Sequence, residues 1–153
     1  MGNILLNRAS ARFFFRTVKT KGPDMKHAVG KPPRLPNGQW VPLSPGVAVG
    51  GLLFVSGQLA FDGAGAIISD EIEAQTHQVI ANIETVLREA GSGLADVVKI
   101  TGWLVNPEDF SGFNAAYSSA FSDKPPARSM VLSDLLVPGA LVELEAIAVI
   151  GTK

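Results

Sequence analysis

The sequence contains no cysteine. That absence excludes a disulfide framework, a thiolate metal site and a cysteine nucleophile, so stability has to come from packing alone. Histidine is scarce too: His27 and His77 are the only two, and no His-x-x-x-His or Cys/His spacing is present to build a zinc or non-haem iron centre. No metal is expected. Gly63, Gly65, Gly91 and Gly93 match neither G-x-G-x-x-G nor G-x-x-x-x-G-K-[ST], which leaves out a dinucleotide fingerprint and a P-loop. No cofactor is expected either. No apolar run approaches the roughly 18 residues that cross a bilayer, so a membrane is not an expected partner.

Acidic residues are missing from the start of the chain. Residues 1–39 carry Arg8, Arg12, Arg16, Lys19, Lys21, Lys26, Lys31 and Arg34 against Asp24 alone, a net +7. From Trp40 onward five basic residues face thirteen acidic ones, a net −8. A surface of that sign repels phosphate backbones, which argues against nucleic acid as a partner of the folded part.

What is present is one domain's worth of chain, 153 residues of which 46% are hydrophobic, enough to bury a core but not to build a second full domain. Residues 1–39 read as a basic, proline-containing N-terminal extension and residues 40–153 as the domain. In residues 1–24, Arg8, Arg12 and Arg16 recur every four positions beside Leu5, Leu6 and Phe13 to Phe15. This pattern fits a mitochondrial transit peptide. It fits equally a segment upstream of a true start at Met25. The expected compartment is accordingly the cytoplasm, or the mitochondrial matrix if residues 1–24 are a transit peptide. Pro32, Pro33, Pro36, Pro42 and Pro45 deny a sheet its N–H donors and mark a linker into the domain.

The domain then alternates its periods. Val47 to Val49, a Gly50-Gly51 turn and Leu52 to Val55 read as a hairpin. Residues 70–90 read as a helix, with Ile72, Thr76, Val79, Ile80, Ile83, Val86 and Leu87 recurring at threes and fours. Asp70 with Glu73 suggests a capping box and Gly91 a left-handed stop. Residues 97–105 are β-branched and aromatic and read as a strand. Asn106-Pro107 opens a second helix whose expected buried stripe is Phe110, Phe113, Tyr117, Ala120 and Phe121, ended by Pro125-Pro126. Strands at 128–132 and 141–150 flank a Pro138-Gly139 turn, and Ala66 to Ile68 suggests a short extra strand. The fold class that follows is α+β, a mixed β-sheet with two helices packed on one face.

Four places carry candidate chemistry. Arg128 opens a strand straight after Pro-Pro-Ala instead of decorating a solvated helix; its planar guanidinium suits either a bidentate carboxylate ligand or an ion pair with a nearby acid. Glu143 and Glu145 lie two apart in an otherwise apolar strand and therefore share a face. Partial burial there would raise at least one pKa toward general acid/base use, unless both simply accept hydrogen bonds from backbone, Arg128 or Lys99. Ser56-Gly57 ends a buried-looking strand where the glycine lets something approach the backbone closely. Ser56 has no histidine partner for a catalytic triad. Asn114 shares a helix face with Phe110 and Tyr117, as a satisfied core amide or a pocket donor.

Several local segments together resemble one family: Phe54-Val55-Ser56-Gly57-Gln58, Ala74-Gln75-Thr76, Asp96-Val97-Val98-Lys99, Phe113-Asn114, Pro126-Ala127-Arg128-Ser129 and Val142-Glu143-Leu144-Glu145-Ala146. In order, from about Pro42 to Ile150, they are similar to the Rid (YjgF) family, also labelled L-PSP endoribonucleases. The resemblance implies a chorismate-mutase-like subunit in a homotrimeric barrel with ligand clefts between subunits. It also implies hydrolysis of 2-imino acids and enamines such as 2-aminoacrylate to 2-oxo acids and ammonia. It places the substrate carboxylate on Arg128, water handling on Glu143, and pocket contacts at Asn114, Ser56 and Gly57. Two positions depart from the family pattern. Leu43 stands where many members have a pocket tyrosine, which puts 2-aminoacrylate in doubt more than imine hydrolysis in general, and Met130 replaces a common cysteine. Two other readings stay open: binding or sensing of a small carboxylate without turnover, and an endoribonuclease or translation-inhibitor activity.

Overall fold

The computed structural model describes residues 25–34 and 38–151; the transit-peptide reading of residues 1–24 lies outside them. Six strands form one sheet: β1 (His27–Val29), β2 (Gly46–Val49), β3 (Leu52–Gln58), β4 (Val97–Leu104), β5 (Ala127–Leu132) and β6 (Val142–Val149). Helix α1 (Ile72–Glu89) lies between β3 and β4, and α2 (Phe110–Ala120) between β4 and β5. The spatial order is β1-β2-β3-β6-β4-β5. Every pairing is antiparallel except β4 with β5, the two strands that α2 connects. A parallel neighbour needs a crossover, and a helix supplies it. The mixed α+β class expected from the sequence is the one observed.

Burial alternates strictly along β6: Val142, Leu144, Ala146 and Ala148 are buried, and the residues between them are partly open. The buried set meets α1, which also packs on β3 and on α2, so both helices lie over one face of the sheet. On that face Leu53, Val79, Ile83, Leu87, Ile100 and Phe113 are fully enclosed. Burial of each such side chain contributes about 1.5–3 kcal/mol. The opposite face has no helix. Leu52, Phe54, Trp103, Val131, Ile147 and Val149 alternate with core residues and lie there, partly or fully exposed.

The Gly50-Gly51 hairpin is as expected, with both glycines at positive φ (59° and 77°), the left-handed conformation a tight turn requires of them. Gly91 likewise has φ 73° just past α1. The expected extra strand is a single bridge between Phe61 and Ile67.

Three expectations are corrected. The sheet begins at His27 and not in the forties: β1 pairs with β2 and buries Val29, so residues 27–29, read from the sequence within the N-terminal extension, lie in the sheet. The capping box at Asp70 does not form. Glu71 is the N-cap without a side-chain cap, and its N–H donates instead to Ser69 Oγ at 3.0 Å. Phe110 is not in the buried stripe: it stands in the first turn of α2, beyond the edge of α1, and is 45% exposed.

Candidate active site

Arg128 extends from β5 toward the helices. It stands opposite Ile100, which is fully buried on the helix-facing side. Its Nη2 donates to Asn114 Oδ1 at 2.8 Å. The guanidinium carbon lies 4.6 Å from the ring centre of Tyr117, 5.3 Å from Phe113 and 5.9 Å from Phe110. A cation over ring faces is held by their quadrupoles. No carboxylate of a described residue lies within ion-pairing distance of it; the ion pair among these residues is Arg88 with Glu84. The ion-pair reading of Arg128 is therefore not what the structure shows. Asn114, Tyr117, Ser118, Pro125, Pro126 and Arg128 border a hollow of about 340 Å³. A second hollow of about 310 Å³ is lined by Leu104, Pro107, Phe110, Met130, Val131 and Leu132; of these, the Phe110 ring centre lies 5.9 Å from the Arg128 guanidinium.

Glu143 lies opposite Trp103, three residues along β4 from Ile100. Successive side chains alternate across a strand, so Glu143 and Arg128 project from opposite faces of the sheet. Glu143 is half-buried on the helix-free face. Loss of hydration raises its pKa, and the like charge of Glu145 raises it further. No described donor hydrogen-bonds to either carboxylate; Lys99 Nζ instead donates to Ser129 Oγ at 2.6 Å. The sequence left open that both acids accept hydrogen bonds from backbone, Arg128 or Lys99; among the described residues no such bond is made.

Gly57 explains how Glu143 fits. The pairing of β3 with β6 slips between Val55 and Gln58, a bulge that lets the chain bend. A Cβ at Gly57 would collide with the Glu143 carboxylate. The close approach for which this glycine makes room is thus from within the chain. Ser56 is turned the other way: Oγ donates to Ser44 O at 2.7 Å, and its N–H donates to Pro45 O at 2.9 Å. These bonds pin the turn that carries Leu43, which is 41% exposed. Ser56, Gly57, Leu43 and Glu143 therefore gather near one end of β3 and β6, whereas Arg128 and Asn114 gather at β5 and α2.

Two residues escaped sequence reasoning. Tyr117 was placed only in a core stripe, yet it borders the Arg128 hollow; its being a tyrosine among phenylalanines was the available signal. Gln75 is fully buried, donates from Nε2 to Ser69 O (2.6 Å) and Gly139 O (2.7 Å), and accepts from Leu141 N–H at 2.8 Å. It ties the start of α1 to the loop entering β6, two residues before Glu143.

The family model described as Endoribonuclease L-PSP matches residues 36–150. The chain belongs to the L-PSP family. A RutC family protein of Pyrococcus abyssi is 43% identical over 108 residues, covering 70% of this chain and 85% of that protein. AldR of Lactococcus lactis, named for a suggested regulatory role, is 46% identical over 108 residues, covering 70% and 86%. Among solved structures, the Rid-family protein YyfA of Yersinia pestis superposes with a TM-score of 0.74 at 34% identity, covering 82% of this chain and all of that one (100%). The sheet and helices described above are thus the L-PSP fold, shared along nearly the whole of these relatives. Among the described residues of this L-PSP chain, no three His, Asp or Glu side chains cluster as metal ligands, and no helix is long and apolar enough to cross a membrane.

Proposed function

We propose that this L-PSP protein hydrolyses 2-imino acids and their enamine tautomers to 2-oxo acids and ammonia, in clefts formed where copies of the chain meet in a homotrimer. The observation that carries the reading is a half-buried guanidinium with no acid beside it in a protein that also holds a carboxylate of raised pKa. The first is a ready anchor for a small carboxylate. The second holds a proton more readily than an ordinary carboxylate, which suits it to take one from water and return it.

In one copy the two groups lie on opposite faces of the sheet, so a single ligand contacts both only if a second copy contributes one of them. The bare sheet face supports such an assembly. Leu52, Phe54 and Val131 are exposed on it, a large apolar surface of the kind that marks an interface. Proposed is a cyclic arrangement in which the Ser56-Gly57-Glu143 end of one copy, with Leu43, closes over Arg128 and Asn114 of the next.

The chemistry then follows from atom balance. Arg128 holds the carboxylate and aligns the adjacent C=N carbon. Glu143 takes a proton from water as the water oxygen bonds to that carbon and passes it to the imine nitrogen, giving a carbinolamine. It then takes the carbinol hydroxyl's proton and passes it to the same nitrogen as the C–N bond breaks, so that ammonia leaves and the carbonyl of the 2-oxo acid forms. Imines hydrolyse in water unaided, so the main contribution is orientation and a positioned base. The apolar hollow beside Phe110 and Met130 would take the substrate's side chain.

Purified protein given imino acids generated in place by an amino-acid oxidase should speed ammonia release, and Arg128→Ala should abolish the gain. Equal rates in the two proteins would refute the proposal. A second reading, binding of a small 2-oxo acid without turnover, is favoured by Leu43, which brings no hydroxyl to the cleft; it predicts saturable binding and no ammonia. The endoribonuclease named by the family is opposed by the net −8 of residues 40–153.

A further inference from the structure

The chain has one tyrosine, and it sits where a phenylalanine would fill the same space. Its ring centre is 5.5 Å from that of Phe113 and 4.6 Å from that of Phe121. The side chain is only 5% exposed. Among the described residues its hydroxyl is the single buried side-chain polar atom without a hydrogen-bond partner. A hydroxyl in that state has lost its water and gained nothing in return, and native proteins seldom tolerate this without a reason.

The neighbours do not supply the missing acceptor. Arg128, whose guanidinium carbon lies 4.6 Å from the tyrosine ring centre, only donates. Asn114 Oδ1 accepts from Arg128 at 2.8 Å and makes no bond with the hydroxyl. Burial raises the pKa of the hydroxyl and the Arg128 charge opposes that rise, so near neutrality the group keeps its proton and remains a donor. Tyr117 and Arg128 border the same hollow of about 340 Å³. A carboxylate has about four lone-pair sites, enough to accept from a guanidinium and a phenol together.

We infer that the Tyr117 hydroxyl donates a hydrogen bond to the carboxylate held by Arg128, which makes it a second anchor for a small 2-oxo or 2-imino acid. The inference rests on the reading of Arg128 as the carboxylate anchor. It assigns the unpartnered hydroxyl to the ligand instead of to the core. The ligand-free protein leaves the hydroxyl idle, so its removal should weaken binding without weakening the fold.

Titration calorimetry of the assembled protein with 2-oxobutyrate tests this. Tyr117→Phe should bind about 10- to 100-fold more weakly than the natural protein, as expected for a lost hydrogen bond to a charged group, with a ligand-free Tm that is unchanged or higher. In the natural protein, the signal of the single tyrosine, by ultraviolet difference absorbance or ring resonances, should shift as 2-oxobutyrate saturates. Affinity within twofold of the natural protein, with Arg128→Ala abolishing binding, would overturn the role of Tyr117 alone. So would a fall in Tm with affinity unchanged, which would make the hydroxyl structural. Undiminished binding by Arg128→Ala would remove the carboxylate anchor itself, and the tyrosine's role with it.

Discussion

The two ends of the proposed site treat charge in opposite ways. At β5 and α2 a cation lies among three aromatic rings and donates to an amide oxygen. At β3 and β6 a carboxylate lies beside a second carboxylate on a partly buried strand, and its surroundings disfavour the charged form. One end is settled and waits for an anion. The other is poised to accept a proton. That division matches the anchor and the base proposed above, which lie on different faces of the sheet in one copy.

The largest expected effect separates the two ends outright. Arg128→Ala and Glu143→Gln should each be inactive, the second by about 10²- to 10⁴-fold, the range for loss of a general base. Mixed, unfolded and reassembled together, they should regain activity, because about a quarter of sites between copies would combine an intact Arg128 with an intact Glu143. Absence of any recovery in that mixture would mean that the two groups do not meet across copies. Glu143→Gln should not lower the melting temperature. A carboxyl whose folded pKa is raised stabilises the fold below its unfolded pKa and loses that contribution as pH rises through the folded one. Removing it should therefore flatten the decline in stability above the usual carboxylate range, measurable by thermal melts across pH.

Smaller effects sharpen the comparison. Gly57→Ala puts a Cβ where the Glu143 carboxylate lies; the flexible acid can swing aside, so stability should change little while turnover falls roughly tenfold as the base loses its position. At the other end, Asn114→Ala removes the acceptor that orients Arg128; KM should rise a few-fold, by about the 0.5–1.5 kcal/mol of one hydrogen bond, with kcat little changed. Least in size is Glu145→Gln. Removing the like charge should lower the Glu143 pKa, so the rising limb of the pH–rate profile should move to lower pH. An unmoved limb would detach Glu145 from the base.

Much of the fold was legible because periodicity reports burial. Ile72, Val79, Ile83 and Leu87 marked α1 by spacing alone, and the alternation in residues 141–150 marked β6. β1 was not legible: three residues among prolines have no period of their own, and His27 to Val29 become a strand only because β2 offers an edge. The capping box at Asp70 failed because the helix begins one residue later, with Glu71 as an N-cap that has no side-chain cap. In the site, Arg128 was conspicuous by its place after Pro-Pro-Ala, and Glu143 by its cost on an apolar strand. Gln75 and Tyr117 were not, since each looks like an ordinary helix position until the loop or cation it faces is known.

By itself the sequence determined the family, the α+β class, the two helices and the identity of a conspicuous cation and a costly acid, because each of these is written in local residue type, spacing or motif. Which face each charge occupies was decided only by tertiary structure. Sides of a sheet acquire meaning from register, and the pairing of β4 with both β5 and β6 sets Arg128 and Glu143 on opposite ones through contacts between residues far apart in the chain.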